Sequence, residues 1–378
     1  MDLQAVLGSV EMKTQWMRNN LRDLVGQESP SEDRLAVNAA NAMVEGIARN
    51  LGGRIKRNRQ KSFGDVLELH FGLTRSSRKP LLLLGHLDTV WPLGTLRTMP
   101  WREVDGRFWG PGVLDMKAGV VMALTAISTL RELKLERPVI LLLNSEEEVG
   151  SPISRAITER LALQSEVVFV LEPAQGLAYK TARKGVGQYN VQVTGVGAHS
   201  GVDFERGHSA VLELAKLVQT ISNFTRLERK LTVNCGVIAG GTRSNVIASQ
   251  AHAEVDIRIA KASDAAYVEK LFRGLRVSDP HCKLTITGGI NRPPMERKAG
   301  TIALFKRARG IAAQLGFDLG EAATGGGSDG NFTAALGVPT LDGMGAVGEG
   351  AHAAHESVVI EHLVPRTALL AAMIASVG

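Results

Sequence analysis

Four short runs of apolar residues constrain the fold of this chain more than any other feature. They cover residues 66–72, 81–85, 138–144 and 167–171, and a helical pattern at residues 118–133 lies between two of them. A strand that is buried on both faces is apolar throughout, whereas a half-exposed strand alternates between apolar and polar residues. The runs therefore predict an α/β domain with a mixed, largely parallel sheet flanked by helices.

Residues 1–50 predict two helices that precede this sheet. The first covers residues 12–25 and is amphipathic. The second follows residues 29–32, Ser-Pro-Ser-Glu, which are residue types that start helices, and it ends before Gly52.

A different pattern occupies the middle of the chain. Strands and helices are predicted in the order β-α-β-β-α-β, at residues 187–194, 209–224, 231–238, 246–259, 262–275 and 283–287. This order is the signature of a ferredoxin-like sandwich. The first pattern then resumes, with predicted elements at residues 297–315, 338–341 and 364–376. We predict a catalytic domain in two parts, residues 1–182 and 293–378, interrupted by an inserted domain at residues 183–292.

The composition excludes several classes of protein. The 378 residues are enough for two domains, and 44% of them are hydrophobic. The net charge of +6 comes from scattered Lys and Arg, and only 4% of residues are aromatic, so we expect no nucleic-acid partner. Cys235 and Cys282 are too few for a disulfide framework. The apolar runs are far shorter than the roughly 20 residues of a membrane span, and no secretory signal is visible. We expect a cytoplasmic protein with no membrane contact.

Side chains that can bind metals follow the predicted strands. His86 comes directly after residues 81–85, and Asp88 is placed to accept the other ring N–H of that histidine. The acids Glu146, Glu147, Glu148 and Glu172 follow two further strands. Neighbouring carboxylates on a surface loop are usually solvated, but at the carboxyl ends of parallel strands a cation would relieve their repulsion.

Two further candidates lie in loops. Asp115 ends a glycine-rich turn, where it could equally cap the helix at residues 118–133. His352 lies four residues before Glu356. Two imidazoles and several carboxylates suit a pair of Zn²⁺ ions that share a bridging carboxylate, with one more carboxylate as a general base.

The order of these motifs resembles the co-catalytic zinc peptidases that include glutamate carboxypeptidase, aminoacylase, acetylornithine deacetylase and succinyl-diaminopimelate desuccinylase. The motifs are G-H-x-D, G-x-x-D-M-K-x-G, E-E-x-G-S and H-x-x-x-E, at residues 85–88, 112–119, 147–151 and 352–356. Residues 183–187 and 325–330 are most similar to the glutamate carboxypeptidase branch.

The resemblance implies a role for each motif residue. His86 and Glu172 would hold one zinc ion, Glu148 and His352 would hold the other, and Asp115 would bridge the two. Co²⁺ or Mn²⁺ are possible substitutes. The resemblance also implies that Glu147 is the general base and that Asp88 supports His86. It implies a cis peptide bond between Asp115 and Met116, and it gives Glu146 no catalytic role.

The resemblance extends to the inserted domain, which would serve as a lid and as the contact of a homodimer. His199, in Gly-Ala-His-Ser-Gly, would stabilise the oxyanion, commonly from the partner subunit. Asn245 and Arg258 would bind the substrate carboxylate and carbonyl, Gly326 would face the substrate, and Arg292 is a weaker candidate for a second carboxylate contact.

Three functions remain open at this stage. A carboxypeptidase that releases a residue with a free carboxylate is favoured. An N-acyl amino acid deacylase would use the same site, because its substrates carry the same carboxylate. A metal-stabilised binding protein without activity is disfavoured, because each position that the chemistry needs holds a competent residue.

Overall fold

A computed structural model of the chain describes residues 1–72 and 78–377. Its helices, in chain order, are α1 Leu3–Glu11, α2 Thr14–Gly26, α3 Arg34–Asn50, α4 Ala118–Glu132, α5 Ser154–Gln164, α6 Ala210–Ser222, α7 Ser263–Arg273, α8 Ala299–Gln314, α9 Gly330–Ala335 and α10 Leu363–Ser376.

The strands of the first half are β1 Arg54–Asn58, β2 Val66–Phe71, β3 Leu81–His86, β4 Arg102–Val104, β5 Arg107–Trp109, β6 Val139–Asn144, β7 Val168–Val170, β8 Ala178–Arg183 and β9 Gly185–Thr194. Those of the second half are β10 Ala198–His199, β11 Thr232–Gly240, β12 Val246–Ile247, β13 Gln250–Ile259, β14 Lys283–Arg292, β15 Gly320–Thr324, β16 Thr340–Leu341, β17 Gly348–Glu349 and β18 Ser357–Val359.

The described chain forms two compact units. The first comprises Met1–Ala182, Arg297–Ala323 and Ser328–Gly378, and the second comprises Arg183–Glu296 and Thr324–Gly327. The sequence assigned residues 293–296 and 324–327 to the second part of the catalytic domain, whereas in the structure they cluster with the inserted unit.

The main sheet of the first unit has the strand order β1-β2-β6-β3-β7-β16. The pairs β6–β3, β3–β7 and β7–β16 are parallel, and the pairs β1–β2 and β2–β6 at one edge are antiparallel. The predicted mixed, largely parallel sheet is therefore confirmed.

Both faces of this sheet are buried, which explains its unbroken apolar strands. In β3, Leu81 and Leu83 belong to the larger core, where α4 and α10 also pack. Leu82 and Leu84 point to the opposite face and belong to a separate core beside α5. Successive side chains of a strand alternate between faces, so a strand with a core on each side must be apolar at every position.

The N-terminal region differs from the sequence prediction. Helix α1 precedes the two predicted helices, so the prediction of two helices in residues 1–50 was wrong. The residues taken to start the second helix do not cap it either. Asp33 occupies the N-cap of α3, and its side chain accepts from Leu35 N and Ala36 N.

The inserted unit has the predicted order β9-α6-β11-β13-α7-β14, with short β10 and β12 pairing beside it. Its antiparallel sheet has the strand order β11-β13-β9-β14. The predicted strand at residues 246–259 is divided into β12 and β13. Tyr189 on β9 stacks on Phe272 of α7 at 3.9 Å between ring centroids, within the hydrophobic core of this unit.

One helical stretch, Val113–Glu132, is long and apolar enough to cross a membrane by length and composition. The core helices of water-soluble proteins meet the same criterion, and 89% of its apolar window is buried. The stretch is also not one regular helix, because Asp115 and Met116 have non-helical backbone angles. Packing in the core of the first unit explains its composition.

Candidate metal centre

The site lies at the carboxyl ends of three neighbouring strands. His86 is the last residue of β3, rather than the residue after it as the sequence suggested. The loop with Glu147 and Glu148 follows β6, and Glu172 lies two residues after β7. Because β3 pairs in parallel with both β6 and β7, these side chains meet at one edge of the sheet.

The imidazole of His86 is buried and oriented by the backbone. Its Nδ1 lies 2.9 Å from the backbone carbonyl oxygen of Asp88, and 3.4 Å from Asp88 Oδ1. The predicted contact with Asp88 is thus present, although the shorter distance is to the main-chain oxygen. An Nδ1–H that donates there leaves the lone pair of Nε2 available as a ligand.

Asp115 lies between the two histidines. Its Oδ1 is 3.4 Å from His86 Nε2, and its Oδ2 is 3.3 Å from His352 Nε2. Helix α4 begins at Ala118 with Lys117 at the N-cap position, so the alternative that Asp115 caps this helix is wrong. One carboxylate that offers one oxygen to each of two imidazoles has the arrangement of a bridging ligand.

The remaining acids complete two groups of ligand atoms. Glu148 Oε2 lies 3.1 Å from His352 Nε2, and Glu172 Oε1 lies 3.6 Å from His86 Nε2. Ligand atoms of His86, Asp115 and Glu148 lie within 4.8 Å of one another, and so do those of His86, Glu147 and Glu172. His86 is common to both groups.

Unsatisfied polar atoms show that these residues fit a bound cation. Among residues 1–72 and 78–377, His86 Nε2, Asp115 Oδ1 and Glu148 Oε1 are buried without a hydrogen-bond partner. Such atoms are costly to bury unless something binds them. Nitrogen and carboxylate donors of this kind suit Zn²⁺ and other divalent transition metals.

Electrostatics supports the same conclusion. Burial acts to lower the pKa of His86, but the carboxylates of Asp115, Asp88 and Glu172 around its ring hold the pKa well above its ordinary value. Hydrogen bonds with Asp115 and Glu148 raise the pKa of His352 to about 10. Burial raises the pKa of Glu148. The carboxylates therefore attract positive charge to this place, and a metal ion would replace the protons on the imidazoles.

Glu356 is a residue of this site whose role sequence reasoning missed. Strand β5 ends at Trp109, opposite Ser357 of β18, so the loop after β5 runs beside Glu356. The buried Glu356 carboxylate accepts from Gly112 N at 2.8 Å, Leu114 N at 2.8 Å and Asp115 N at 3.0 Å. It thereby fixes the backbone that carries Asp115, the candidate bridging ligand. The only signal in the sequence was its spacing from His352.

Lys117, also missed, is buried beneath the same loop. Its Nζ donates to the carbonyl oxygen of Gln27 at 2.8 Å. Burial lowers the pKa of Lys117 to about 7, against the opposing charges of Glu356 and Glu28. Its contacts bind the Asp115 loop to the end of α2.

Glu146, to which no catalytic role was assigned, binds the backbone at the start of a helix. It is fully buried, and its carboxylate accepts from Ile153 N at 3.1 Å and Ser154 N at 2.5 Å, at the start of α5. Glu146, the first of three successive acids, thus anchors the helix that follows. Glu147 and Glu148 each belong to one of the two groups of candidate ligands.

Three residues predicted to contact the substrate, His199, Asn245 and Arg258, belong to the inserted unit. His199 is exposed, and its Nδ1 accepts from Gly201 N at 3.1 Å. Asn245 is exposed. Arg258 binds both oxygens of Asp256 at 2.9 Å.

The glycine loop of residues 325–327 lies among arginines of the same unit. Arg258 Nη1 donates to Gly325 O at 3.3 Å, and Arg183 Nη1 donates to Gly326 O at 3.3 Å. Arg292 is 5% exposed and its side chain packs against Gly327. The substrate contacts of Gly326 and Arg292 stay predictions.

The Asp115–Met116 peptide bond is cis, as the resemblance implied.

Comparison with known proteins identifies the family. Residues 82–376 match peptidase family M20/M25/M40. The chain is 29% identical over 363 residues to carboxypeptidase G2 of Pseudomonas sp. strain RS-16, covering 93% of this chain and 86% of that protein. It is 30% identical over 218 residues to acetylornithine deacetylase of Myxococcus xanthus, covering 54% of this chain and 56% of the relative.

A solved structure shows the same fold. The aminopeptidase PepT of Bacillus cereus aligns with a TM-score of 0.79 at 21% identity, over 96% of this chain and 98% of that one. The family match contains all four motifs on which the resemblance was based, and it confirms that resemblance. The chain belongs to peptidase family M20/M25/M40, and it is a metallopeptidase-type hydrolase related to carboxypeptidases and aminoacylases.

Proposed function

We propose that this protein hydrolyses the amide bond between an acyl or peptidyl group and an amino acid with a free carboxylate, as a carboxypeptidase of the glutamate carboxypeptidase type. The observation that carries the proposal is the position of Asp115, whose two oxygens face His86 and His352. A carboxylate oxygen of Glu147 lies within 4.8 Å of ligand atoms of His86 and Glu172. The similarity to carboxypeptidase G2 over 93% of the chain supports the substrate class.

These contacts support an assignment of residues to two Zn²⁺ ions. His86 and Glu172 are proposed for one ion, His352 and Glu148 for the other, and Asp115 for both. When bound, the ions would lower the pKa of a water molecule and polarise the amide carbonyl. Co²⁺ or Mn²⁺ would suit the same donors.

Glu147 is proposed as the general base and general acid. Its carboxylate takes a proton from the attacking water as the water oxygen forms the new bond to the carbonyl carbon. The same carboxyl group returns the proton to the amine nitrogen as the carbon–nitrogen bond breaks. The products are a carboxylate and a free amino acid. Asp88, which contacts His86, is proposed to orient that ligand.

The inserted unit is proposed to recognise the substrate. His199 would donate to the oxyanion that forms on the carbonyl oxygen. Asn245 and Arg258 would bind the carboxylate and the carbonyl of the substrate. The guanidinium of Arg258, which binds Asp256 in this structure, would exchange that carboxylate for the one of the substrate. Gly326 and Arg292 would line the same region.

We also propose that the inserted unit forms a homodimer. Exposed apolar side chains of this unit support the idea: Val202, Phe204, Leu212 and Ile238 are 76%, 68%, 57% and 58% exposed. A cytoplasmic location stays a prediction. Sedimentation of the purified protein would test the dimer.

A substrate panel tests the proposed activity. The zinc-loaded protein is given N-acyl amino acids, dipeptides and folate-like N-aroyl glutamates, and the released amino acid is quantified. We expect hydrolysis that a chelator abolishes and zinc restores, with preference for a C-terminal glutamate. Preference for short acyl groups such as acetyl would instead favour a deacylase, a function supported by the similarity to acetylornithine deacetylase. Zinc binding without hydrolysis of any compound would contradict the proposal.

A further inference from the structure

Asp88 connects several parts of the metal centre. It is fully buried, and its Oδ1 accepts from Glu147 N at 3.2 Å while its Oδ2 accepts from Glu148 N at 3.1 Å. Its Oδ1 also faces His86 Nδ1 at 3.4 Å. The orientation of one carboxylate thus sets the positions of a metal-binding histidine and of two successive glutamates.

A serine from the N-terminal region holds this carboxylate. Ser31 is 1% exposed, and its hydroxyl donates to Asp88 Oδ2 at 2.7 Å. Ser31 lies outside residues 82–376, the part of the chain that matches the family. We propose that Ser31 is a positioning residue of the metal centre, whose hydroxyl fixes the Asp88 carboxylate in the orientation that serves the Glu147 and Glu148 backbone.

The backbone brings Ser31 to this position. Residues 29–31 run alongside residues 87–89, with Pro30 and Thr89 forming an isolated parallel bridge. Thr89 N donates to Ser29 O at 2.8 Å, and Ser31 N donates to Thr89 O at 3.3 Å. These backbone hydrogen bonds hold the segment in place, so the position of Ser31 does not depend on its hydroxyl. The hydroxyl therefore orients the Asp88 carboxylate rather than the segment.

Ser29 provides a matched control. It is also fully buried, and its hydroxyl donates to a backbone oxygen, Leu87 O, at 2.6 Å. The two serines thus lie in the same segment, are both buried, and each donate a hydrogen bond to residues 87–89. They differ in the acceptor, which is a carboxylate for Ser31 and a peptide carbonyl for Ser29.

The test compares Ser31→Ala with Ser29→Ala in the full chain. Zinc affinity is measured by competition with a chromophoric chelator, thermal stability is measured on the same samples, and kcat and KM are measured on the best substrate. Residues that support metal ligands typically contribute about 10- to 100-fold to metal affinity or activity. We expect Ser31→Ala to lower zinc affinity and kcat by about tenfold or more with little change in KM, and Ser29→Ala to change both by less than about threefold.

Two results would overturn the inference. One is a stable Ser31→Ala protein that binds zinc like the wild type. The other is an equal loss of zinc affinity in both variants, which would show that the segment acts only through its fold. If Ser31→Ala does not fold, Ser31→Thr and Ser31→Val replace it, because they have the same shape and only Thr keeps the hydroxyl. Weaker zinc binding by Val than by Thr supports the inference, and equal binding overturns it.

The kinetic part of this inference rests on the proposed hydrolysis, but the zinc competition needs no substrate. A protein that hydrolyses nothing in the panel would therefore contradict the proposed function while the comparison of zinc affinities still decides the role of Ser31.

Discussion

Glu356 holds the backbone of Asp115, 241 residues away in sequence: Glu356 Oε1 accepts the Asp115 N–H at 3.0 Å. The same oxygen accepts from Leu114 N, and the other accepts from Gly112 N and from the indole of Trp91 at 2.8 Å each. A carboxylate accepts hydrogen bonds at both of its oxygens, whereas an amide of the same shape accepts at one oxygen and donates at the other end. Asp115, the proposed bridging ligand, is therefore positioned by an acid that is not itself proposed as a ligand.

The first prediction concerns this contact. In Glu356→Gln, an NH₂ group would replace one acceptor oxygen and would face backbone donors, leaving at least one buried N–H unsatisfied. We expect a loss of about 1–3 kcal/mol in stability and about 10- to 100-fold in zinc affinity. Thermal unfolding and chelator competition measure the two effects.

The control for this variant is Glu361→Gln. Glu361 is 78% exposed and lies 3.6 Å from His362, on the same segment of the chain. We expect its stability and zinc affinity to match the wild type. Equal behaviour of the two variants would show that Glu356 does not position Asp115.

The second prediction separates two adjacent acids. Glu147→Gln should keep both metal ions and lower kcat by about 10²- to 10⁴-fold, because it removes the proposed general base. Glu148→Gln should lose zinc affinity, because it removes a proposed ligand that lies 3.1 Å from His352. Metal content of the purified variants and kcat on one substrate decide the matter. A Glu147→Gln protein with wild-type turnover would refute the assignment.

The sequence allowed prediction of the strands and of the candidate ligands that the structure brings together, because both follow local rules. Residues 81–84 are apolar because they pack against two cores. His86, at the end of the same strand, is a residue type that can bind a metal. The supporting contacts were not predicted. Ser31 binds a group 57 residues away, and no local pattern marks it. Glu356 was marked by its spacing from His352, but nothing in that spacing indicates its contact with Asp115, 241 residues away.

The N-terminal helices were mispredicted for a related reason. Ser29 and Ser31 have the composition of a helix start, but their hydroxyls bind Leu87 O and Asp88, so the cap moves to Asp33. Propensity describes what a residue does when no tertiary partner competes. Helix α1 ends at Glu11 and α2 begins at Thr14, a break without glycine or proline that the sequence does not indicate.

The third prediction uses two helical glycines. A Cβ added at Gly119 in α4 would lie 2.1 Å from the backbone oxygen of Leu171, the residue before Glu172. Because the contacting atom belongs to the backbone, it cannot move aside as a flexible side chain could. We therefore expect Gly119→Ala to lower the free energy of unfolding by about 1–3 kcal/mol or more. At Gly46 in α3, a Cβ would meet no described atom within 4 Å, and Gly46→Ala should stabilise the protein by up to about 1 kcal/mol.

Denaturant midpoints of the two variants test this prediction. Chelator competition on Gly119→Ala tests its consequence for the site, because a shift of Leu171 would displace Glu172 and weaken zinc binding. A Gly119→Ala midpoint equal to that of Gly46→Ala would contradict the predicted contact.

The fourth prediction concerns the pH dependence of stability. Glu68 on β2 is 1% exposed and lies 2.9 Å from Lys56 and 2.6 Å from Arg160. Burial acts to raise the pKa of Glu68, but hydrogen bonds from its neighbours outweigh burial and hold the pKa well below its ordinary value of 4.5. The neighbours are His70, Lys56, Asn58 and Arg160.

The sign follows from linkage. A carboxyl group with a folded-state pKa below its unfolded-state value binds fewer protons in the folded protein. Its contribution to stability is therefore complete above pH about 4.5 and is lost progressively as the pH falls below it. The variant Glu68→Gln cannot titrate at this position and lacks the contribution at every pH.

We therefore expect the difference in denaturant midpoint between wild type and Glu68→Gln to be constant between about pH 6 and 8 and to shrink between about pH 5 and 3. The control is Glu159→Gln, which removes a half-exposed pair with Arg155 at 2.7 Å. Such surface pairs contribute about 0–1 kcal/mol, so its difference from the wild type should stay small throughout. A Glu68→Gln difference that grows as the pH falls would require a raised pKa for Glu68 in the folded protein, contrary to the ion pairs that surround it.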